Sequence, residues 1–304
     1  MSGLFCSPGC GNISAIDSTS KTASTGVVVN ALGDTHSQWK PSVFISDPYV
    51  NQYAPRNHGK LRQTIEYHAG TAHGLAEDNS GNLWVASIAQ EGVYEFAPNS
   101  SRPIRSIPQS LLQEWPVGVA ICPDGEIYVS DELSEQPPRL GAVFVYDYNS
   151  LYQLAEPTPS DLDQGGFVQC DAHSNVYLDY SDKSGIVRFV TTPAGSYGAW
   201  QPMPMKLDGV IDFKIMRSGD VVVPADSEVD FYHPKAKTPY RTIGGFSGAS
   251  ALAFRQDEKT LWVLDTPLEK VFEIDVATGA IIGALTKAFP AGAVDVLAVP
   301  ADQR

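Results

Sequence analysis

The sequence predicts an all-β fold, a six-bladed β-propeller, on three observations. A strand-turn-strand unit recurs along the chain, the second strand of each unit carries a bulky landmark residue, and successive landmarks are 40 to 49 residues apart. The landmarks are Phe44, Trp84, Tyr128, Tyr177, Val222 and Trp262. A repeat of this length with four short strands is typical of a propeller blade. Six landmarks predict six blades, and the extra strand-like segment TGVVVNAL (25–32) leaves seven as the alternative.

Each unit has the same order of elements. An apolar run is followed by a polar turn with Gly, Asp or Asn, and then by aromatic and β-branched residues; the clearest copies are residues 73–87, 117–131 and 165–179, and the weaker ones are 211–225 and 250–265. Alternating apolar and polar residues after each pair, as in 92–98 and 141–149, predict the outer strands.

The first unit lacks its first strand, and the C-terminus supplies a candidate for it. Residues 42–47 have the second-strand pattern but are preceded by the polar stretch 33–42, whereas AVDVLAV (293–299) has a first-strand pattern with no second strand after it. We expect these N- and C-terminal strands to pair and so to close the ring, which removes an exposed sheet edge. The predicted propeller spans residues 41–304.

Residues 1–40 are interpreted as an N-terminal tail or tether. Cys10 follows a small residue and precedes a Ser/Thr-rich stretch, as at the start of a mature lipoprotein, or else the segment is simply a polar tail. The sequence shows neither a signal peptide nor the ~18–20 apolar residues of a transmembrane segment. We expect a periplasmic, cell-envelope or extracellular protein, with the cytoplasm as the alternative.

Composition excludes some classes of partner. Lys and Arg number 21 against 35 Asp and Glu, a net charge of −14, so the surface should repel nucleic acid and anionic lipid. The sequence contains no Gly-rich phosphate loop, nucleophile elbow or zinc spacing.

Cys122 and Cys170 occupy equivalent positions in neighbouring units. We expect two buried thiols near each other, with a disulfide as the less favoured alternative, because inner strands of adjacent blades usually stand too far apart.

The starts of first strands and the ends of second strands are expected to converge at one mouth of the central channel. Asp212 and Asp295 replace Gly or Ala at these starts, and His73 is a histidine at a strand entry. Two carboxylates and an imidazole could hold Ca²⁺ or Mg²⁺, with His73 as the catalytic residue. Alternatively, each aspartate bonds backbone or water in the channel.

Three further residues are candidates for ligand binding on this loop face. His68 lies in the loop that enters the second unit, and Asp131 and Glu132 precede the insertion 133–141. Insertions into one face of a propeller are where function is commonly added. Other second strands also end in Asp or Ser, which predicts that these groups satisfy backbone donors in the following turn.

The repeats HGLAEDNSGNLWVAS and VGVAICPDGEIYVSD resemble those of NHL-repeat propellers and, more loosely, of streptogramin lyase-like and gluconolactonase-like propellers. The resemblance implies a fold rather than one activity, since such families include binding platforms, lyases and metal-dependent lactone hydrolases. In the lyases a His and Mg²⁺ near the axis carry the chemistry, which His73 would match. The Glu, Asn and Asp ligands of the lactonases are not matched as a full set.

The sequence therefore favours a noncatalytic binding or scaffold propeller. Its expected partner is a protein, peptide or glycan on the loop face, and the expected state is a monomer. The alternative is a divalent-metal-dependent hydrolase or lyase with its site at the central channel.

Overall fold

The structure is a computed structural model that describes residues 42–47, 49–54, 60–66, 72–112, 115–132, 141–205, 212–255, 257–286 and 295–299. They all belong to one compact unit, Asp34–Arg304. The predicted tail 1–40, with Cys10 and the segment 25–32, lies outside the described residues. The described part of the chain contains no helix long and apolar enough to span a membrane.

The described residues form antiparallel sheets, and each sheet is one blade of a propeller. Blade 1 contains β1 (Ser42–Asp47), β2 (Tyr49–Tyr53), β3 (Leu61–Ile65) and β22 (Asp295–Val299). Blade 2 contains β4 (Ala72–Glu77), β5 (Leu83–Ser87), β6 (Gly92–Phe96) and β7 (Pro103–Ile107), and a 3₁₀ turn, Gln109–Leu111, follows it. Blade 3 contains β8 (Trp115–Ile121), β9 (Glu126–Glu132), β10 (Ala142–Asp147) and β11 (Gln153–Ala155). Blade 4 contains β12 (Leu162–Cys170), β13 (Val176–Asp182), β14 (Val187–Thr192) and β15 (Gln201–Pro202). Blade 5 contains β16 (Lys214–Ile215), β17 (Val221–Tyr232), β18 (Arg241–Phe254), β19 (Thr260–Asp265), β20 (Lys270–Asp275) and β21 (Ile281–Leu285).

The described residues form five blades, so the predicted count of six, with seven as the alternative, is wrong. The repeat units with landmarks Val222 and Trp262 share the six-stranded sheet of blade 5. They are joined because β17, of 12 residues, and β18, of 14 residues, continue without interruption where the repeat predicts a break between blades. A positive φ of 111° at Gly245 and a register shift after Asp226 bend these strands. Residues from both halves of the sheet then pack into one apolar cluster.

The predicted pairing of the N- and C-terminal strands is confirmed. β22 lies antiparallel to β1, with Ile45 opposite Val296 and Val43 opposite Ala298. Since β22 comes from the C-terminal end of the chain, blade 1 combines residues from both ends of the described sequence.

The core lies mainly between neighbouring blades. The predicted landmark residues are all buried, and Phe44 and Trp84 are 0% exposed. Successive residues of a strand point to opposite faces of its sheet. Phe44 accordingly packs against blade 2, whereas its neighbours Val43 and Ile45 pack against blade 5. Burial on both faces explains why the second strands are continuous apolar runs rather than alternating ones.

One polar cluster also joins two blades. Arg105 of β7 pairs with the buried Glu95 of β6 and donates to the backbone carbonyl of Tyr148, which follows β10 of blade 3. Its guanidinium lies 4.4 Å from the Tyr148 ring centroid and 5.2 Å from that of Trp84. The hydroxyl of Tyr148 donates to Asp78 of blade 2 at 2.7 Å. Charged and aromatic groups therefore tie blades 2 and 3 together.

A disulfide joins Cys122 and Cys170, so the favoured prediction of free thiols is wrong. The two Cα atoms are 5.3 Å apart, within the range that a disulfide spans. The prediction failed because it assumed widely spaced inner strands, whereas glycines let β8 and β12 approach closely. A Cβ atom on Gly118 would lie 2.9 Å from the carbonyl oxygen of Gly166.

Candidate functional site

The channel is narrow where three inner strands pass each other. A Cβ on Gly74 of β4 would lie 2.9 Å from the Cα of Gly118 on β8, and Gly118 approaches Gly166 of β12 equally closely. The hydroxyl of Ser130 also donates to the Gly166 carbonyl. These contacts leave no room for side chains on this side of the channel, so the glycines predicted at first-strand starts have a packing role.

A buried charge cluster lies on the other inner strands. The ammonium of Lys214 is 2.8 Å from Asp212 Oδ1 and 3.9 Å from Asp295 Oδ1. The Lys214 side chain is only 13% exposed, and both carboxylates are almost fully buried. The structure thus brings the two predicted metal-binding aspartates together, with a lysine beside them.

Each aspartate also bonds the backbone of the next inner strand. Asp295 Oδ2 accepts from the Leu75 amide of β4 at 2.8 Å, and Asp212 Oδ2 accepts from the Leu252 amide of β18 at 2.8 Å. Leu75 and Leu252 occupy corresponding places in their strands. Both carboxylates therefore satisfy buried backbone donors that would otherwise be costly to bury.

Burial and the lysine act in opposite directions on these carboxyl groups. Burial raises the pKa of Asp295 to about 7; the Lys214 ammonium counteracts this increase, and the negative charge of Asp212 adds to it. Burial likewise raises the pKa of Asp212 despite the ion pair with Lys214. For Lys214, burial alone would lower the pKa, but the two carboxylates together raise it, so the lysine is charged.

The two carboxylates already have a counter-ion, the ammonium of Lys214. An ammonium group 2.8 Å from one carboxylate already supplies positive charge where a divalent ion would have to bind both aspartates. Within the described ranges, no group of three or more His, Cys, Asp or Glu side chains is arranged to hold a metal ion. We therefore derive no chemistry through a metal here, and the axial Ca²⁺ or Mg²⁺ stays an untested prediction.

The predicted catalytic residue, His73, lies near the start of β4. It is largely buried, and this burial lowers the pKa of its imidazole. Its backbone carbonyl accepts a long hydrogen bond, 3.5 Å, from the hydroxyl of Ser46 on blade 1. The imidazole forms no ion pair with Asp212 or Asp295. His68 lies outside the described residues, and the catalytic and ligand-binding roles of these histidines stay predictions.

Asp131 holds the start of an inner strand. It is completely buried, and its Oδ1 accepts from the backbone amide of Trp115 at 2.7 Å. Asp265 binds the amide of Ser247 at 2.7 Å in the same way. These aspartates do satisfy backbone donors, as predicted, but chiefly at the entry of an inner strand rather than in the following turn. Glu132 ends β9 beside residues 133–140, which lie outside the described residues; ligand binding by Asp131 and Glu132 stays a prediction.

The structure also has a cavity of about 300 Å³ where the inner strands end, which we call the end cavity. The sequence predicts a site at the opposite mouth, where these strands begin. The walls of the end cavity are formed by residues near the ends of inner strands from all five blades, and blade 5 contributes both β16 and β18. The apolar lining includes Leu75, Ile121, Phe254 and Leu297, and Cys170 of the disulfide belongs to the wall.

The charged lining of the end cavity is unequally distributed. The basic residues come from one part of blade 5: Lys214 lies on β16, Arg217 lies in the turn after β16, and Arg255 directly follows β18. Glu258 comes from the turn after β18. Glu77 lies on β4, and β22 packs between β4 and β18. A signal for this site is present in the sequence, since Arg217 and Arg255 each follow a predicted first strand.

Comparisons with known proteins establish the fold. No family model and no curated protein matches this chain. A chain from the crystal structure of a nidogen–laminin complex is similar, with a TM-score of 0.66 and 14% identity over 84% of this chain and 97% of that chain. A functionally unknown protein from Desulfotomaculum acetoxidans DSM 771 is similar with a TM-score of 0.60 and 12% identity over 86% and 100% of the two chains. For U3-55K the TM-score is 0.54, with 10% identity over 73% and 68%. At these identities the likeness shows a β-propeller fold alone, and the expected NHL-type repeat is not confirmed.

Proposed function

We propose that this chain is a noncatalytic β-propeller that binds a partner protein at the face where its inner strands end. The observation that carries the proposal is the end cavity, which combines an apolar lining with arginine side chains at one side. Concave sites with apolar walls and a few polar groups are where proteins usually bind small molecules, so this cavity would receive a small group of the partner.

The state of the two predicted metal-binding aspartates supports a binding role. Asp212 and Asp295 each accept a backbone hydrogen bond from the next inner strand and lie beside Lys214. In this role they hold inner strands in place, and a substrate that needed these carboxylates would have to displace the lysine or break the backbone bonds.

The nidogen–laminin complex supports a protein as the partner rather than a glycan. That structure is an assembly of two proteins, and one of its chains shares the propeller fold with this chain. The likeness extends over most of both chains, so it supplies a precedent for a propeller of this size in a protein complex. The binding surface itself is proposed from the end cavity alone.

The disulfide supports an oxidising compartment. Bridges such as Cys122–Cys170 persist outside the reducing cytosol in most organisms. We therefore propose the cell envelope or the exterior of the cell as its location.

The test compares three immobilised proteins against envelope and medium fractions of the source organism. The wild-type protein is compared with R217E/R255E, which reverses charge at the end cavity, and with K235E/K237E, which makes the same charge change in an exposed turn. We expect a protein that wild type and the control retain and that R217E/R255E loses, and its purified form should bind wild type at least about tenfold more tightly than R217E/R255E.

Two results would count against the proposal. Equal retention by all three proteins would exclude the end cavity as the binding surface. Stoichiometric metal in the purified protein, together with a melting temperature lowered by EDTA, would favour the metal-dependent enzyme instead.

A further inference from the structure

We infer that the end cavity binds the C-terminal residue of a partner polypeptide, with the carboxylate beside Arg217 and Arg255 and an apolar side chain against the cavity wall. This inference rests on the proposed function, since it names the group through which the partner would bind.

The positive charge lies at one side of the cavity. Arg217 follows β16 and Arg255 follows β18, and these two strands contact each other in the channel wall. The charged lining comprises Lys214, Arg217 and Arg255 against Glu77 and Glu258, whereas the chain as a whole carries 14 more acidic than basic residues. An anion entering this cavity would be attracted to the β16–β18 side.

The two arginines are available for a ligand. Within the described part of the chain, neither guanidinium forms an ion pair, whereas Lys214 is held by Asp212. Glu258 accepts from the backbone amide of Arg217 at 2.7 Å and so fixes the backbone without pairing the guanidinium. Guanidinium groups bind carboxylates through two parallel hydrogen bonds, which makes them suited to a terminal carboxylate.

The remaining wall fits an apolar side chain attached to that carboxylate. Phe254 and Ile215 line the cavity next to the arginines in sequence, and Ile121 and Leu297 line it from blades 3 and 1. A volume of about 300 Å³ is at the lower end for ligand sites, so it takes a small group rather than a folded surface. A C-terminal residue brings a charged and an apolar group together on one carbon atom, and capture of such a terminus is a recurring mode of recognition.

Glu77 defines the orientation of the ligand. It lies on β4, away from the two arginine-bearing strands, and its carboxylate would repel the anion from that side. Glu258 lies on the arginine side, with Oε1 bonded to the Arg217 amide, but the two guanidinium groups outweigh its single charge. The carboxylate should therefore occupy the arginine side, and the rest of the polypeptide should leave through the opening of the cavity.

The experiment uses three fluorescein-labelled hexapeptides that differ only at their ends. One ends in a free leucine carboxylate, the second ends in leucine amide, and the third has an internal glutamate and a C-terminal amide. Fluorescence polarisation measures their binding to the full chain, to R217Q/R255Q and to K235Q/K237Q. We expect the free acid to bind about tenfold more tightly than either amide. This preference should fall below about twofold in R217Q/R255Q and persist in K235Q/K237Q.

Each remaining outcome overturns the inference. Equal binding of the acid and the leucine amide would show that the cavity does not recognise the carboxylate. Binding of the internal-glutamate peptide equal to that of the free acid would show that it does not recognise the terminus. If no peptide binds while the captured partner still distinguishes wild type from R217E/R255E, the inference fails and the proposed function stands. If neither peptide nor partner binds, both fail.

Discussion

Replacing Lys214 with methionine tests whether the buried cluster holds the ring together. Methionine keeps most of the length of the side chain but removes the charge, which leaves Asp212 and Asp295 buried without a cation. At an effective dielectric constant of about 20, the distances of 2.8 and 3.9 Å correspond to attractions of about 6 and about 4 kcal/mol. Desolvation of the ions offsets much of this, and breaking a buried pair by removing one partner costs about 3–5 kcal/mol.

The loss of stability in K214M should depend on pH. The pKa of Asp295 is about 7 in the folded protein, above the unfolded value of about 4, so the folded state holds an extra proton between these pH values. This contribution to stability is fully present below about pH 4 and is lost as the pH rises through about 7. Without the ammonium the pKa rises further, because a positive charge that lowers it is gone. The variant should therefore lose less stability at pH 5, where Asp295 is protonated, than at pH 9, where the loss should be about 3–5 kcal/mol.

Urea denaturation at pH 5, 7 and 9 measures this effect, with Lys237→Met in an exposed turn as the control. The double variant D212N/K214M should recover at least about 1 kcal/mol at pH 9, since one of the two unpaired carboxylates is then neutral. An equal loss for K214M at pH 5 and 9, or a loss below about 1 kcal/mol at pH 9, would refute the role assigned to the cluster.

Three further predictions concern the packing of the blades, each measured by chemical denaturation. Gly118→Ala should lower the free energy of unfolding by about 1–3 kcal/mol, because the added Cβ would press on the Gly166 carbonyl. This loss should exceed that of Gly125→Ala, where the backbone has a positive φ but no neighbouring atom opposes the new methyl group. The reverse order would contradict close packing of the strands. Replacing both bridged cysteines by serine should cost about 4 kcal/mol, from the loop entropy of a sequence separation of 48; an unfolding midpoint that reductant leaves unchanged in wild type would argue against the bridge. Arg105→Met should cost about 3 kcal/mol because Glu95 stays buried and unpaired, and a loss within about 0.5 kcal/mol would show that the cluster between blades 2 and 3 contributes nothing.

The sequence predicted the repeat and the closure of the ring because both depend on local hydrophobic patterns. Landmarks such as Trp84 and Trp262 are buried as expected, and the first-strand pattern of 293–299 correctly identified the partner of β1. The number of blades could not be predicted in the same way. The repeat gives the number of landmark residues, whereas the extent of a sheet depends on how far backbone pairing continues. Here β18 pairs with both β17 and β19, so two repeat units form one sheet.

The site was predicted only in part, because its groups act across strands that are distant in sequence. Asp212 and Asp295 were identified from unusual acidic residues at strand entries, and they do come together in the channel. Lys214, two residues after Asp212, was missed although a lysine inside an apolar first strand is itself unusual. The disulfide was only the less favoured alternative, and the end cavity was not predicted, for another reason. Both depend on the distance between inner strands, which is set by backbone contact at glycines such as Gly118.

The pairing of β22 with β1 has a consequence for the synthesis of the protein. The Asp295 amide donates to the Ser46 hydroxyl across 249 residues of chain, so blade 1 obtains its innermost strand only after most of the polypeptide has been made. At about 5–20 residues per second, this interval is on the order of 10–50 s. During that time the edge of β1 that later receives β22 is open to other strands, in the same chain or in neighbouring ones. Synthesis of this propeller therefore includes a period in which an incomplete ring needs protection, and it ends when the last strand joins the first.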